Sequence, residues 1–223
     1  METADFNYDG RWATRLDGVK SVVDDLLKNR LGDRIGLVVF GVQAFLQAPL
    51  TLDHALLTQM VSSLECGVAG DGTAIGDGLG LSVKRLEGVP AKAKSVILIT
   101  DGVNNSGNVH PLKAAQVAKD LNITVHTIGI GSERPTASGA PEFDEKLLKE
   151  IAEMTGGLYS SASSSEDLRK IYQAIEQLEM TESNQPSVKE IDELFHPFAF
   201  TALLAFMLLT VLARSYFLKV PVV

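Results

Sequence analysis

Residues 95–107 read SVILITDGVNNSG. The first six are apolar or β-branched almost without a break, as in a short strand buried on both faces. The strand ends at Thr100-Asp101-Gly102 and opens into a polar loop. Two more segments share this character, RIGLVVF at 34–40 and TVHTIGI at 124–130. Segments with apolar residues at helical spacing lie around them. These predict helices over Thr14–Lys28, Asp53–Leu64, Thr73–Leu86, Pro111–Leu121, Asp144–Thr155 and Ser165–Leu178. Thr14 with Asp17 is placed as a capping box, and Gly156-Gly157 closes the fifth helix. Phe45–Ala48 is a short strand ended by Pro49, close enough to 34–40 to form a hairpin, and Leu158–Ser160 is a short edge strand. The order α-β-β-α-α-β-α-β-α-β-α implies an α/β, Rossmann-like fold: a mostly parallel sheet with one antiparallel edge and helices on both faces. Residues before Thr14 are polar, carry the turn formers Asn7, Asp9 and Gly10, and show no opening hydrophobic strand.

The chain has 223 residues, and 20 basic against 28 acidic side chains give a formal charge of −8. That balance excludes a nucleic-acid surface, which needs a basic stripe. The single cysteine, Cys66, excludes a disulfide framework within the chain and any multi-cysteine metal site. A hydrophobic fraction of 45% excludes a disordered chain. The mean hydropathy of +0.12 is high for a domain with 22% charged residues. Much of the excess lies in PFAFTALLAFMLLTVLA, the 17 uncharged residues 197–213. With Arg214 snorkelling and the residues to Leu218, the run approaches the roughly 20 residues that span a bilayer. A buried helix of the globular part is the alternative. Arg214 and Lys219 follow the run, and Asp192 and Glu193 precede it, so the positive-inside rule puts the C-terminus in the cytoplasm. The expected organisation is a domain over 1–180, a polar linker over 181–195, a transmembrane helix over 196–218 and a cytoplasmic tail over 219–223.

In open α/β sheets, ligands sit beyond the carboxyl ends of the strands. Asp101, with Gly102, stands at such an end. Asp71-Gly72-Thr73 opens the glycine-rich third helix. A threonine hydroxyl and a carboxylate are hard donors suited to Mg²⁺. Thr73 could instead be a helix cap, and Asp101 a turn-forming aspartate. Gly72, Gly76, Gly78 and Gly80 match neither phosphate-loop pattern, and Gly76 with Gly80 suits close packing of the helix on the sheet. His54, His110, His126 and His196 have no metal-ligand spacing, and Cys66 has no neighbour in sequence that would activate it.

Together, GDRIGLVVFGVQAFLQAPLTLD, DGTAIGDGL, VILITDGVNNSG, VHTIGIG and EIAEMTGGLYSSASSSEDLRKIYQAIEQLE resemble a von Willebrand factor type A (VWA) domain. More narrowly they resemble bacterial membrane-anchored Bat (aerotolerance) proteins. The resemblance covers residues 1–181. It implies a six-stranded sheet and a metal-ion-dependent adhesion site (MIDAS) holding Mg²⁺ or Mn²⁺. Thr73 matches that site's threonine and Asp101 its last aspartate, with Asp71, Gly72 and Gly102 beside them. The site's D-x-S-x-S loop, and the central first strand that leads into it, have no match in the chain. The expectation is therefore a chain truncated just after that loop, binding metal weakly or not at all. In the family the central strand lies between RIGLVVF and SVILIT. The resemblance further implies a non-enzymatic protein-interaction module that engages a partner's carboxylate through the metal. It places the module at a bacterial inner membrane, in contact with lipid, with the domain extracytoplasmic, beside sister VWA proteins and a MoxR-type ATPase. A Mg²⁺-dependent phosphohydrolase using Asp101 and a metal-free VWA scaffold are the competing readings.

Overall fold

The computed structural model describes residues 1–183, except 9, 31, 92 and 132–141, together with Met207, Leu209 and Thr210. The chain divides into two compact units, Met1–Gln185 and Pro186–Val223. All named elements belong to the first. In order they are β1 (Phe6–Tyr8), β2 (Arg11–Ala13), α1 (Arg15–Asn29), β3 (Ile35–Phe40), β4 (Ala44–Thr51), α2 (His54–Ser62) and α3 (Ile75–Leu86). They continue with β5 (Ser95–Thr100), α4 (Pro111–Asp120), β6 (Thr124–Ile130), α5 (Glu145–Thr155), β7 (Tyr159–Ala162) and α6 (Ser165–Ser183). Among the described residues, no helix is long and apolar enough to cross a membrane. The expected transmembrane span and the cytoplasmic tail lie outside the described residues, apart from Met207, Leu209 and Thr210. The expected linker loses its first three residues to α6, which runs on to Ser183.

β5, β6 and β7 form a parallel three-stranded sheet in the order β5-β6-β7. β6 sits in its middle and turns alternate sides to two cores. Val125 joins Ile75, Leu79, Leu98, Ala115, Leu148 and Ile151, so α3, α4 and α5 cover one face. Ile128 and Ile130 join Val22, Leu168, Tyr172 and Ile175, so α1 and α6 cover the other. This is the two-sided burial that the unbroken apolar strands predicted for the parallel part.

β3 and β4 form a separate antiparallel pair. Contrary to expectation, Pro49 does not end β4. The strand continues to Thr51, and the register shifts where Gly36 faces residues between Ala48 and Thr51. A proline fits there because a bulge leaves it no ladder bond to donate. A third small core of Leu27, Ala48 and Leu57 seats this pair under α1 and α2.

β3 departs from its sequence in a second way. Its residues are as apolar as those of β5, yet none of the six is fully buried. The cause is topological. Among the described residues β3 pairs only with β4 and β5 only with β6, so the two strands do not bond to each other. An edge left without a partner strand needs water, since a buried unpaired amide costs about 1–3 kcal/mol.

The N-terminal residues also differ from their reading as a strandless polar stretch. β1 and β2 pair antiparallel, Phe6 with Ala13 and Tyr8 with Arg11, around residues 9 and 10. Gly10 has φ +83°, the conformation such a tight turn requires. Phe6 is buried in the α1–α6 core and lies over Gly18, where a side chain would strike its ring.

Candidate functional site

The site is built where three connections meet. After β3 the chain turns at Gly41, whose N–H donates to the Gln43 carbonyl (2.9 Å). Val42 N–H donates to the Ala69 carbonyl (2.8 Å), and Ala74 N–H donates to the Gly41 carbonyl (2.7 Å). A side chain at Gly41 would stand 2.5 Å from the carbonyl oxygens of Ala69 and Gly70, so only glycine permits this approach. The segment before α3 is thereby stitched to the end of β3.

The loop after β5 is stitched to the same segment from the other side. Thr73 N–H donates to Asn105 Oδ1 (2.8 Å), and Ile75 N–H donates to Asn104 Oδ1 (2.9 Å). Asn105 N–H in turn donates to the Thr73 carbonyl (3.1 Å). Helix α3 begins at Ala74, which has no side chain to cap it, and the loop asparagine serves instead. Thr73 is therefore not the helix cap. Further along, the Asp77 carboxylate accepts from the N–H groups of Asn108 (3.0 Å) and Val109 (2.7 Å). Sequence reading placed Asn104 and Asn105 in a polar loop and singled out neither them nor Asp77. With Ala74 at its N-cap, the helix needs an acceptor for its first N–H groups from elsewhere.

This clamp brings Thr73 against the loop that carries Asp101. Thr73 Oγ1 stands 2.7 Å from where a side chain of Gly102 would begin, and Gly102 follows Asp101 directly. Gly72 is constrained likewise, by Ser106 Oγ at 2.5 Å. The two glycines thus hold the loops in contact. Asp71 is not drawn in. Its carboxylate is exposed and faces the turn at Gly67.

Electrostatically, Asp101 is already engaged. Its Oδ2 lies 3.7 Å from Arg15 Nη1. Arg15 is only 4% exposed. It donates from Nε to Asp5 Oδ1 (2.8 Å) and from Nη2 to Glu142 Oε2 (2.8 Å). These carboxylates, above all Asp5, raise the guanidinium further above its ordinary value. The hydrogen bond from Arg15 holds Asp5 below the usual carboxylate range, against a smaller opposing effect of burial. Nothing in the sequence marked Arg15 as buried, because a helix-opening arginine is ordinarily solvated. Cys66 is half-buried, and burial pushes its thiol up, which makes it a poor nucleophile.

Mg²⁺ needs near-octahedral oxygen ligation. The candidate pair offers one hydroxyl and one carboxylate, and that carboxylate lies 3.7 Å from the Arg15 guanidinium. Among the described residues, no three of His, Cys, Asp or Glu gather to hold a metal. Among the described residues, Thr73 and Asp101 find no further ligands to complete a shell for a divalent cation.

The profile of the von Willebrand factor type A domain matches residues 8–174. The chain belongs to the VWA family. Among solved structures, this VWA chain is similar to the conserved hypothetical protein BatB of Bacteroides thetaiotaomicron. The two are 26% identical, with TM-score 0.65, over 76% of this chain and 89% of that one. It is also similar to an aerotolerance-related membrane protein of Bacteroides fragilis, at 26% identity and TM-score 0.62, over 74% and 87%. A third neighbour is proximal thread matrix protein 1 of the mussel byssus, described with a zinc-occupied MIDAS motif. That match has 26% identity and TM-score 0.58, over 73% and 40%. An uncharacterized protein of Borreliella burgdorferi is 28% identical over 162 residues, 67% of this chain and 48% of that protein. The VWA chain spans about half the length of the curated relatives it matches.

Proposed function

We propose that this chain is a membrane-anchored VWA module that docks a partner protein with the loops around Thr73 and Asp101. The observation that carries this is the approach of Thr73 to Gly102, the residue after Asp101, on loops stitched together by Asn104 and Asn105. Three exposed apolar side chains, Val42, Val68 and Val103, stand on the same loops. Apolar groups around a polar centre are what a protein interface needs. Thr73 and Asp101 are this chain's share of a divalent-cation site for Mg²⁺ or Mn²⁺, with Gly72 and Gly102 making room and Asp71 at its margin. The remaining oxygens come from outside the described residues, a partner carboxylate among them. On its own the chain binds the cation weakly or not at all.

The apolar run at 197–213 anchors the module in a bacterial inner membrane, as a helix over 196–218 after a polar linker. The domain lies on the extracytoplasmic side. Sister VWA proteins and a MoxR-type ATPase are the partners the Bat resemblance suggests. No enzymatic role is assigned to Asp101, whose carboxylate is ion-paired.

Photo-crosslinking in cells tests the docking face. A crosslinker at Val103 is expected to capture a discrete partner, and the capture should be lost on Asp101→Ala. A crosslinker at Val117, exposed on α4, should capture nothing specific. Equal capture from both positions, or capture indifferent to Asp101→Ala, would remove the basis for the proposal.

A further inference from the structure

Helices α1, α3 and α4 carry basic residues in their last turns, and α1, α3, α5 and α6 carry acids in their first. Charges so placed complement the helix dipole. In this fold the same local rule separates charge across the domain. The turn after β3 and the loop after β5 both meet the segment before α3, and β6 runs parallel to β5. The three strands therefore end at one end of the domain, where Thr73 and Asp101 lie. α1, α3 and α4 lead into β3, β5 and β6, so their last turns lie at the opposite, amino end of the strands.

Arg34 stands there before β3, Lys84 and Arg85 end α3, Lys94 precedes β5 and Lys119 ends α4. The Lys94 carbonyl accepts from Thr124 N–H (3.0 Å), which sets it beside the start of β6. Arg34, Lys84, Arg85 and Lys119 are exposed, and Lys94 is half-buried. Two neighbouring cations are already committed, Lys28 to Asp24 (2.6 Å) and Arg30 to Asp33 (3.1 Å). The other five have no ion-pair partner among the described residues. The same turns and connections hold two further acids, Glu87 and Asp120, in a chain whose formal charge is −8. α5 and α6 have no base in their last turns, so the basic strip stops short of β7.

The rest of the chain departs from this end. α6 passes the last turns of α1, where Arg169 Nε donates to Asp25 (3.4 Å), and runs on to Ser183. Thirteen residues, 184–196, separate it from the uncharged run at 197–213. At about 3.4 Å per residue such a tether spans at most about 45 Å. Charge attraction at 0.1 M salt acts over about 10 Å, so a basic face held this close can settle on an anionic surface.

We propose, on the reading that the run at 197–213 spans the bilayer, that this amino-end face rests on the membrane and binds anionic phospholipid headgroups through Arg34, Lys84, Arg85, Lys94 and Lys119. Unpaired cations spread along one face suit a laterally mobile array of headgroups, and each strengthens binding by about fivefold. With that end down, the loops of Thr73 and Asp101 face away from the lipid, about 20 Å further out by the length of β5, and are open to a partner.

The test uses the full 223-residue chain in lipid nanodiscs, of phosphatidylcholine alone or with about one third phosphatidylglycerol. Lysine acetylation by a water-soluble ester is read by mass spectrometry. In the anionic discs Lys84 and Lys119 should label at least about threefold more slowly, and about 0.5 M salt should restore them. Lys149 and Lys170, near the starts of α5 and α6, should label alike in both. Lys84→Glu with Arg85→Glu should free Lys119 in the anionic discs. Equal labelling of Lys84 and Lys119 in the two compositions, or equal slowing at Lys149 and Lys170, would overturn the lipid-facing end while leaving the anchor standing. A chain that enters neither disc would overturn both.

Discussion

Gly76 and Gly80 lie one turn apart on α3, and their sequence suggested one shared role, close packing on the sheet. The structure gives them different surroundings and predicts opposite signs for the same substitution. A Cβ at Gly76 would stand 1.8 Å from the Val109 carbonyl oxygen and 2.7 Å from its carbon. An ordinary carbon–oxygen contact is about 3.3 Å or more, so the loop must retreat by about 1.5 Å. It is poorly placed to do so. Val109 N–H is bonded to the Asp77 carboxylate at 2.7 Å, and Pro111 opens α4 two residues later. Overpacking of this kind costs about 1–3 kcal/mol, and weakening a bond to a charged acceptor adds about 1.5 kcal/mol. Gly76→Ala should therefore destabilise by about 3 kcal/mol, after any gain in helix propensity at this second helical position. At about 2–4 °C per kcal/mol for a domain of this size, Tm falls by about 6–12 °C. At Gly80 the nearest atom to an added Cβ is Val109 Cγ1 at 3.9 Å, an ordinary contact. There Gly80→Ala should stabilise by about 0.5–1 kcal/mol, from reduced backbone freedom in the unfolded chain, and raise Tm by about 2 °C. Thermal unfolding followed by circular dichroism measures both. Equal shifts for the two variants, or a neutral Gly76→Ala, would refute the seating of the Val109 loop on α3. Gly78, which packs on the Phe40 ring, is the glycine that meets β3.

Arg15→Met should cost about 1.5–3 kcal/mol in urea unfolding, because it removes the charge-assisted hydrogen bonds that the buried guanidinium makes to Asp5 and Glu142. Since Asp5 is held below its ordinary value in the fold, its contribution is present above about pH 4 and is lost as pH falls through the folded value. Asp5→Asn should flatten that part of the acid limb, and an unchanged limb would contradict the pairing. Replacing Asn104 and Asn105 together by alanine removes the cap of α3 and the clamp on Thr73. The expected loss is about 2 kcal/mol, with faster amide exchange at Thr73 and Ile75. Deleting residues 197–218 should release the chain from membranes under alkaline carbonate, and retention there would place the anchor elsewhere.

Legibility followed the range of the interactions. β5 and β6 were readable to the residue, because an unbroken β-branched run leaves little alternative to a doubly covered strand. The capping of α1 by Thr14 was readable too, since its partner, the Asp17 N–H at 3.1 Å, is three residues away. The β1–β2 hairpin was missed although the Asp9-Gly10 pair is a common turn signal, because three-residue strands show almost no alternation. At the candidate site, Thr73 and Asp101 came from matching motifs. Asn104, Asn105 and Arg15 act on partners about thirty or more residues away, or under burial that no local pattern announces. The composition of β3 reports what the strand could bury, whereas its burial depends on which strands lie beside it, and among the described residues only β4 does.

That dependence ties the clamp to the rest of the fold. An isolated two-stranded hairpin is marginal in water, so β3–β4 must be held by something other than its own ladder. Without strand-to-strand bonds to β5, the ties between the two halves run through the helices and through the carboxyl-end loops. These are Gly41 to Ala74, Val42 to Ala69, and the Thr73–Ile75 segment to Asn104 and Asn105. The loops that present Thr73 and Asp101 are therefore also the backbone bridge between the β3–β4 pair and the parallel sheet. Any ligand that pulls on them acts on the separation of β3 and β5.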